Sequence, residues 1–187
     1  MTAKQPWTVP GVPWKTESGF WVWVRGILRK GWSGHPVKIE YINLHRKRIK
    51  NPNVKTAKRF PEVWGMKCEI CNVDHLQSNI EIDHVGDSAT FTGLSDTESY
   101  VQHLYLVDFE SLRALCKPCH SVVSHAQNKG IAFEEAVIEK KVIEVEKTQK
   151  PDKIIAMLKA RGYDDVSNKD KRRVALTEMF TKEKIDG

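Results

Sequence analysis

Ser111-Leu112-Arg113-Ala114-Leu115-Cys116-Lys117-Pro118-Cys119-His120 decides the fold when read with Cys68-Glu69-Ile70-Cys71 upstream. Each Cys-x-x-Cys turn aims two thiolates at one point, and two such turns complete a closed, tetrahedral and therefore structural Zn²⁺ site. Redox chemistry would need one reactive Cys-x-x-Cys beside a βαβ unit, a pattern the chain lacks. Cys68, Cys71, Cys116 and Cys119 are the only cysteines among 187 residues, too few for a disulfide scaffold. The spacing predicts zinc that ties the start of a module to its end. Metal binding of this kind contributes on the order of 10 kcal/mol of apparent folding energy.

Between the knuckles, Asn79 to Val85 alternates apolar Ile80 and Ile82 with polar Glu81 and Asp83, as a half-buried strand does. Gly86 and Asp87 open a loop. Ser95-Asp96-Thr97-Glu98 reads as a capping box ahead of Tyr100, Val101 and Leu104 at helical spacing. Pro118 suits the first turn of a helix running through His125 to Gly130. A carboxylate and a neutral imidazole brought together from that strand and that helix can bind one divalent ion with open positions. Asp83 and His120 are the candidates. His84, next to Asp83, points to the opposite face of the strand and can take a proton from water near neutral pH. An open ion and a nearby base suffice for phosphodiester hydrolysis. Asp74-His75 reads as solvent-facing turn chemistry. His35, His45, His103 and His125 have no partner pattern and read as surface or packing residues.

These residues resemble the HNH endonuclease family, of the zinc-bound ββα-metal kind. Ile82-Asp83-His84-Val85 looks like its first motif, and Ser111 to His120 resembles its second half. The resemblance covers roughly residues 64–130. It implies an α+β fold: a small zinc-stapled ββα-metal core with a basic, mostly helical N-terminal region and an α-helical C-terminal tail. It also implies that His84 is the general base and that Asp83 and His120 hold catalytic Mg²⁺ or Mn²⁺. Ser111 stands where the family usually has Asn, so bracing of the loop that carries the base weakens or comes from elsewhere, Glu110 being adjacent. Val123-Ser124 replace the family's frequent Lys-Thr, which removes one phosphate contact. More loosely, the Trp-rich, basic N-terminal half and the helical tail look like bacteriophage-encoded members. The family includes homing, packaging and restriction enzymes, all acting on DNA.

Charge supports a polyanionic partner. Net charge is +6, yet Arg25 to Phe60 holds eleven basic residues against the single acid Glu40, a local +10 that leaves −4 for the remainder. Arg46, Lys47, Arg48, Lys50, Lys55, Lys58 and Arg59 are the predicted DNA-backbone contacts, supplying affinity without sequence information. Arg113 and Lys117 are further candidates by proximity. Trp7 and Trp14, interleaved with Pro6, Pro10, Gly11 and Pro13, suggest an extended arm. Trp21, Val24, Leu28 and Trp32 fit one face of a helix and favour core packing. Pro36 starts a second helical pattern through Val37, Tyr41, Leu44 and Arg48, ended by Asn51-Pro52. After Gly130, helices are predicted over Ala132 to Thr148, from Pro151 to Gly162, and from Ser167, as a possible cap, to Lys182. The expected divisions are 1–62, 63–130 and 131–187.

Apolar runs, such as Phe20 to Val24, reach no more than five residues, far short of the ~20 of a membrane helix. The first residues lack a signal-peptide pattern. A cytoplasmic protein is expected (host cytoplasm for a phage-encoded one), monomeric or dimeric, with no membrane partner. Two rivals to the nuclease stay open: a zinc-stapled nucleic-acid-binding module with a decayed site, favoured by Ser111, and a zinc-dependent assembly protein that recruits partners through its last helices.

Overall fold

A computed structural model describes residues 5–86 and 89–185. Asp87, predicted to open a loop, lies outside the described residues. The chain is α+β and divides into two compact units, residues 1–120 and 121–187.

In the first unit, α1 (Glu17–Ser33) begins where the Thr16 hydroxyl accepts the Gly19 N–H at 3.1 Å. Trp21, Val24 and Leu28 line its inner face around buried Trp32, as their spacing predicts. Trp23 stays 47 % exposed, so not every tryptophan is core. Within the expected extended arm, Pro6–Thr8 forms a 3₁₀ turn.

α2 (Pro36–His45) stops before Arg48. The helical reading of Arg48 is corrected by pairing: β1 (Lys47–Lys50) lies antiparallel to β2 (Glu62–Lys67), with Arg48 opposite Trp64 and Ile49 opposite Val63. The loop between them contains a short helix, α3 (Val54–Ala57). Asp74-His75, read as a turn, instead belongs to β3 (Asp74–Leu76), the third strand of this sheet. Gly65 is required at its centre, because a Cβ there would sit 2.8 Å from the His75 carbonyl oxygen as well as against Ile49.

β4 (Ile80–His84) pairs antiparallel with β5 (Leu112–Cys116), His84 opposite Leu112 and Ile80 opposite Cys116. The connection carries α4 (Thr97–Tyr105). Ser95 is not its cap: Asp96 takes that position, and its carboxylate accepts the Thr92 and Gly93 N–H groups at 2.7 and 3.2 Å. α5 (Lys117–Lys129) follows β5 directly, with Pro118 in its first turn, and ends at Gly130, φ +64°. Trp32, Tyr41, Met66, Ile82, Phe91, Tyr100, Leu104 and Leu112 form the core of the first unit. Burial of Ile82, with Glu81 and Asp83 directed away from that core, is what fixes the facing of β4.

In the second unit, α6 (Phe133–Thr148), α7 (Pro151–Lys159) and α8 (Lys169–Ile185) surround Val142, Ile154, Leu158, Val166, Leu176 and Met179. Asn168, not Ser167, caps α8: its Oδ1 accepts the Lys171 N–H at 2.9 Å. Among the described residues no helix is long and apolar enough to cross a membrane.

Candidate functional site

The knuckles come together. One Sγ from each of Cys68, Cys71, Cys116 and Cys119 lies within 4.8 Å of every other. A tetrahedron of sulfurs ~2.3 Å from a central Zn²⁺ has edges of about 3.8 Å, so four thiols at this spacing fit a metal ion with little movement. Burial opposes ionisation of Cys68, but backbone amides at Cys116, Cys71 and Ile70 outweigh it and lower its thiol, whereas burial first, then the neighbouring thiols, raise Cys119, and burial raises Cys116. His75 adds an outer contact, Nε2 lying 3.5 Å from Cys71 Sγ.

Glu69, inside the first knuckle, docks that turn onto the rest. Its Oε1 accepts the Ala114 N–H at 2.7 Å and the Tyr41 hydroxyl at 2.8 Å, while its own N–H donates to the Ala114 carbonyl at 2.9 Å.

Asp83 and His120 meet as the sequence suggests. Asp83 Oδ1 lies 3.4 Å from His120 Nε2, and the other ring nitrogen, Nδ1, is bonded to Glu81. Alternation in β4 places Glu81 and Asp83 on one face, and His120 at the start of α5 reaches both. Glu81 is marked in the sequence only by that alternation, which does not single it out as a partner of His120. A carboxylate that orients one imidazole nitrogen leaves the other free for an ion. One imidazole with Asp83 oxygen is a donor set for a hard or borderline divalent ion.

Arg113, directly opposite Asp83, donates through Nε and Nη2 to Asp83 Oδ2 at 2.9 and 2.8 Å. Its guanidinium is committed to that carboxylate and is not turned outward as a phosphate contact. Burial raises the Asp83 carboxyl, but His120 and Arg113 outweigh it and hold it below its usual range. Hydrogen bonding to Asp83 in turn pushes His120 up, against its burial.

His84 sits on the other face of β4. Its ring is 4.4 Å from Trp32 and 5.0 Å from His103, centroid to centroid, and Nε2 is 3.4 Å from the Leu104 carbonyl. Burial, then the neighbouring His103, lowers its basicity. Ser111 does not reach His84 through its side chain: its hydroxyl and N–H both donate to Asp108 Oδ1. Its backbone carbonyl, however, accepts the Val85 N–H at 2.9 Å and fixes the end of the strand that carries His84.

A groove of about 600 Å³ runs past Ile80 to His84 and is lined also by His120, Leu104, Trp32, Lys38 and Arg29. β4 has only β5 beside it among the described strands, so side chains from both of its faces reach this groove.

The predicted DNA contacts gather on the β1–β2 hairpin. Arg46 and Arg48 lie 4.5 and 5.2 Å from the Trp64 ring centroid. Lys47 pairs with Asp74 at 2.9 Å. Lys50 ends β1, and Lys55, Lys58 and Arg59 follow along a loop held by buried Asn51, whose amide donates to Thr56 Oγ1 and the Phe60 carbonyl and accepts the Asn53 N–H. No family model, curated protein or solved structure matches the chain.

Proposed function

We propose that the chain is a metal-dependent DNA endonuclease of the HNH kind. The observation that carries this is the β4–β5–α5 unit, which sets Asp83 and His120 on one face of a strand and His84 on the other, along one groove and beside four convergent cysteines. Cys68, Cys71, Cys116 and Cys119 hold a structural Zn²⁺ in this reading. Asp83 and His120 are the residues that hold a catalytic Mg²⁺ or Mn²⁺, which when bound supplies charge neutralisation at the phosphate and the leaving oxygen. Glu81 fixes the His120 tautomer by accepting from Nδ1. His84 accepts the proton of the attacking water: in the tautomer that donates Nε2–H to Leu104, Nδ1 keeps the free lone pair. The Ser111 carbonyl supports that strand end, a bracing role that needs no amide side chain. The basic hairpin holds the DNA backbone.

The test is conversion of supercoiled plasmid with Mg²⁺, Mn²⁺ or EDTA, beside His84→Ala, with zinc content measured in both proteins. Metal-dependent nicking that disappears in the variant, while zinc stays near one per chain, is the expected result. DNA binding with no cleavage under either ion would favour the second reading, a zinc-stapled DNA-binding module. The Arg113 fork on Asp83 is the feature that favours that alternative.

A further inference from the structure

The groove along β4 has a second wall, and that wall is cationic. Arg29 of α1 and Lys38 of α2 line it with Trp32 and Ser33. Lys38 Nζ lies 5.5 Å from the Trp32 ring centroid, and the same indole is 4.4 Å from the His84 ring. Ammonium, indole and imidazole are therefore consecutive neighbours.

Lys38 is half-buried, and its burial lowers its pKa, opposed by the Glu81 carboxylate. Its charge is also felt at His84. Among the described residues neither Lys38 nor Arg29 forms an ion pair, because the acids of the groove are already engaged: Glu81 by His120, and Asp83 by His120 and Arg113. A lysine on an open surface keeps its head in water. This one is held over an aromatic face in a concavity, where a cation–π contact returns only part of what desolvation costs. The missing partner is an anion that enters the groove.

We propose that Lys38 and Arg29 form a phosphate subsite, Lys38 holding a non-bridging oxygen of the DNA phosphate beside His84 and Arg29 meeting the backbone at the groove's mouth. This rests on the nuclease reading for the identity of its ligand. It makes Lys38 a positioning residue drawn from the helical N-terminal region, which then builds the site as well as clamping DNA. A single compact ammonium suits one phosphate oxygen and demands no bidentate geometry.

The experiment compares the full-length zinc-loaded protein with Lys38→Met and Lys38→Arg. Methionine keeps the apolar stem on Trp32, and tryptophan fluorescence with zinc content verifies the fold. The probe is a short fluorescein-labelled duplex, titrated over a range of salt, with cleavage followed separately. Lys38→Met is expected to lower the slope of log K against log salt by about one, as loss of one phosphate contact does. It is expected to slow kcat about 100-fold with KM changed far less, and Lys38→Arg to restore the slope and part of the rate. An unchanged slope and rate in a folded Lys38→Met protein would overturn the subsite while the nuclease reading stood. If wild type binds but never cleaves, the slope alone decides the subsite and the nuclease reading is lost. Wild type that binds no duplex defeats both.

Discussion

Glu69 offers the sharpest check on how the central module is held. Its carboxylate and backbone together act as a substitute strand on the free edge of β5, satisfying both backbone groups of Ala114, and the same Oε1 receives the Tyr41 hydroxyl from α2. Tyr41 and Ala114 are 4 % and 3 % exposed. Glu69→Ala strands two buried donors. A fully buried orphan costs about 1–3 kcal/mol, but Glu69 itself is exposed, so water partly replaces its oxygen and about 1 kcal/mol per donor is the fitting value. The variant should lose about 2 kcal/mol, which for a unit of this size lowers Tm by roughly 10 °C. Tyr41→Phe should lose about 1 kcal/mol. The double variant should cost little more than Glu69→Ala alone, because a phenylalanine in place of Tyr41 leaves no stranded hydroxyl, giving a coupling of about 1 kcal/mol. All six tryptophans precede residue 65, so their fluorescence in urea reports the first unit without the second. Zinc must be equal and saturating in every sample, since a bound ion shifts apparent stability by mass action. A Glu69→Ala protein within 0.5 kcal/mol of wild type, or zero coupling in the cycle, would refute this account (threshold from the usual additivity error of ~0.5 kcal/mol).

Glu81→Gln keeps a group that can bond His120 but removes its charge; metal-dependent cleavage should fall about 10- to 100-fold with binding of duplex intact, and an equal cleavage rate would deny Glu81 its orienting role. Asn51→Ala removes three side-chain hydrogen bonds from the basic loop and should accelerate tryptic cleavage after Lys55, Lys58 or Arg59; an unchanged digestion rate would show that the loop is held by other means. In the second unit, Lys129 and His125 hold the Glu139 carboxyl below its ordinary value. That stabilisation is present above the unfolded carboxyl's pKa and is lost as pH falls through the folded one. Far-UV melts of wild type should therefore weaken below about pH 4.5, and Glu139→Gln should flatten that acid limb; identical pH profiles would contradict it.

The parts of this architecture that were readable from the chain are those whose signal is local. Cys-x-x-Cys is complete within four residues, and α1 and α5 are marked by apolar spacing and by Pro118 and Gly130. The end of α2 was not readable, because Lys47–Lys50 becomes a strand only by pairing with residues 62–65, beyond the eleven-residue loop. His75 was misplaced for the same reason: Asp74–Leu76 is a strand only beside β2. Cap positions shift by one residue at both α4 and α8: at α8 the Asn168 side chain reaches the Lys171 N–H, whereas at α4 the Asp96 carboxylate turns back to the Thr92 and Gly93 N–H groups and leaves the helix without a side-chain cap.

The candidate site divides along the same line, with one instructive exception. Arg113 was legible as soon as a single β4–β5 pair was known, because an antiparallel register fixes all the others by counting one residue up and one down. His84 opposite Leu112, next to Ser111, would have placed Arg113 across from Asp83. The same parity puts Glu81 with Asp83 and leaves His84 with Ile82 on the other face. Lys38 had no such route. Nothing in α2 points at β4, and one lysine among thirty basic residues carries no mark of its surroundings. What distinguishes it is a cation without a carboxylate beside an indole that also touches His84, a relation that exists only once the helices and the strand have packed together.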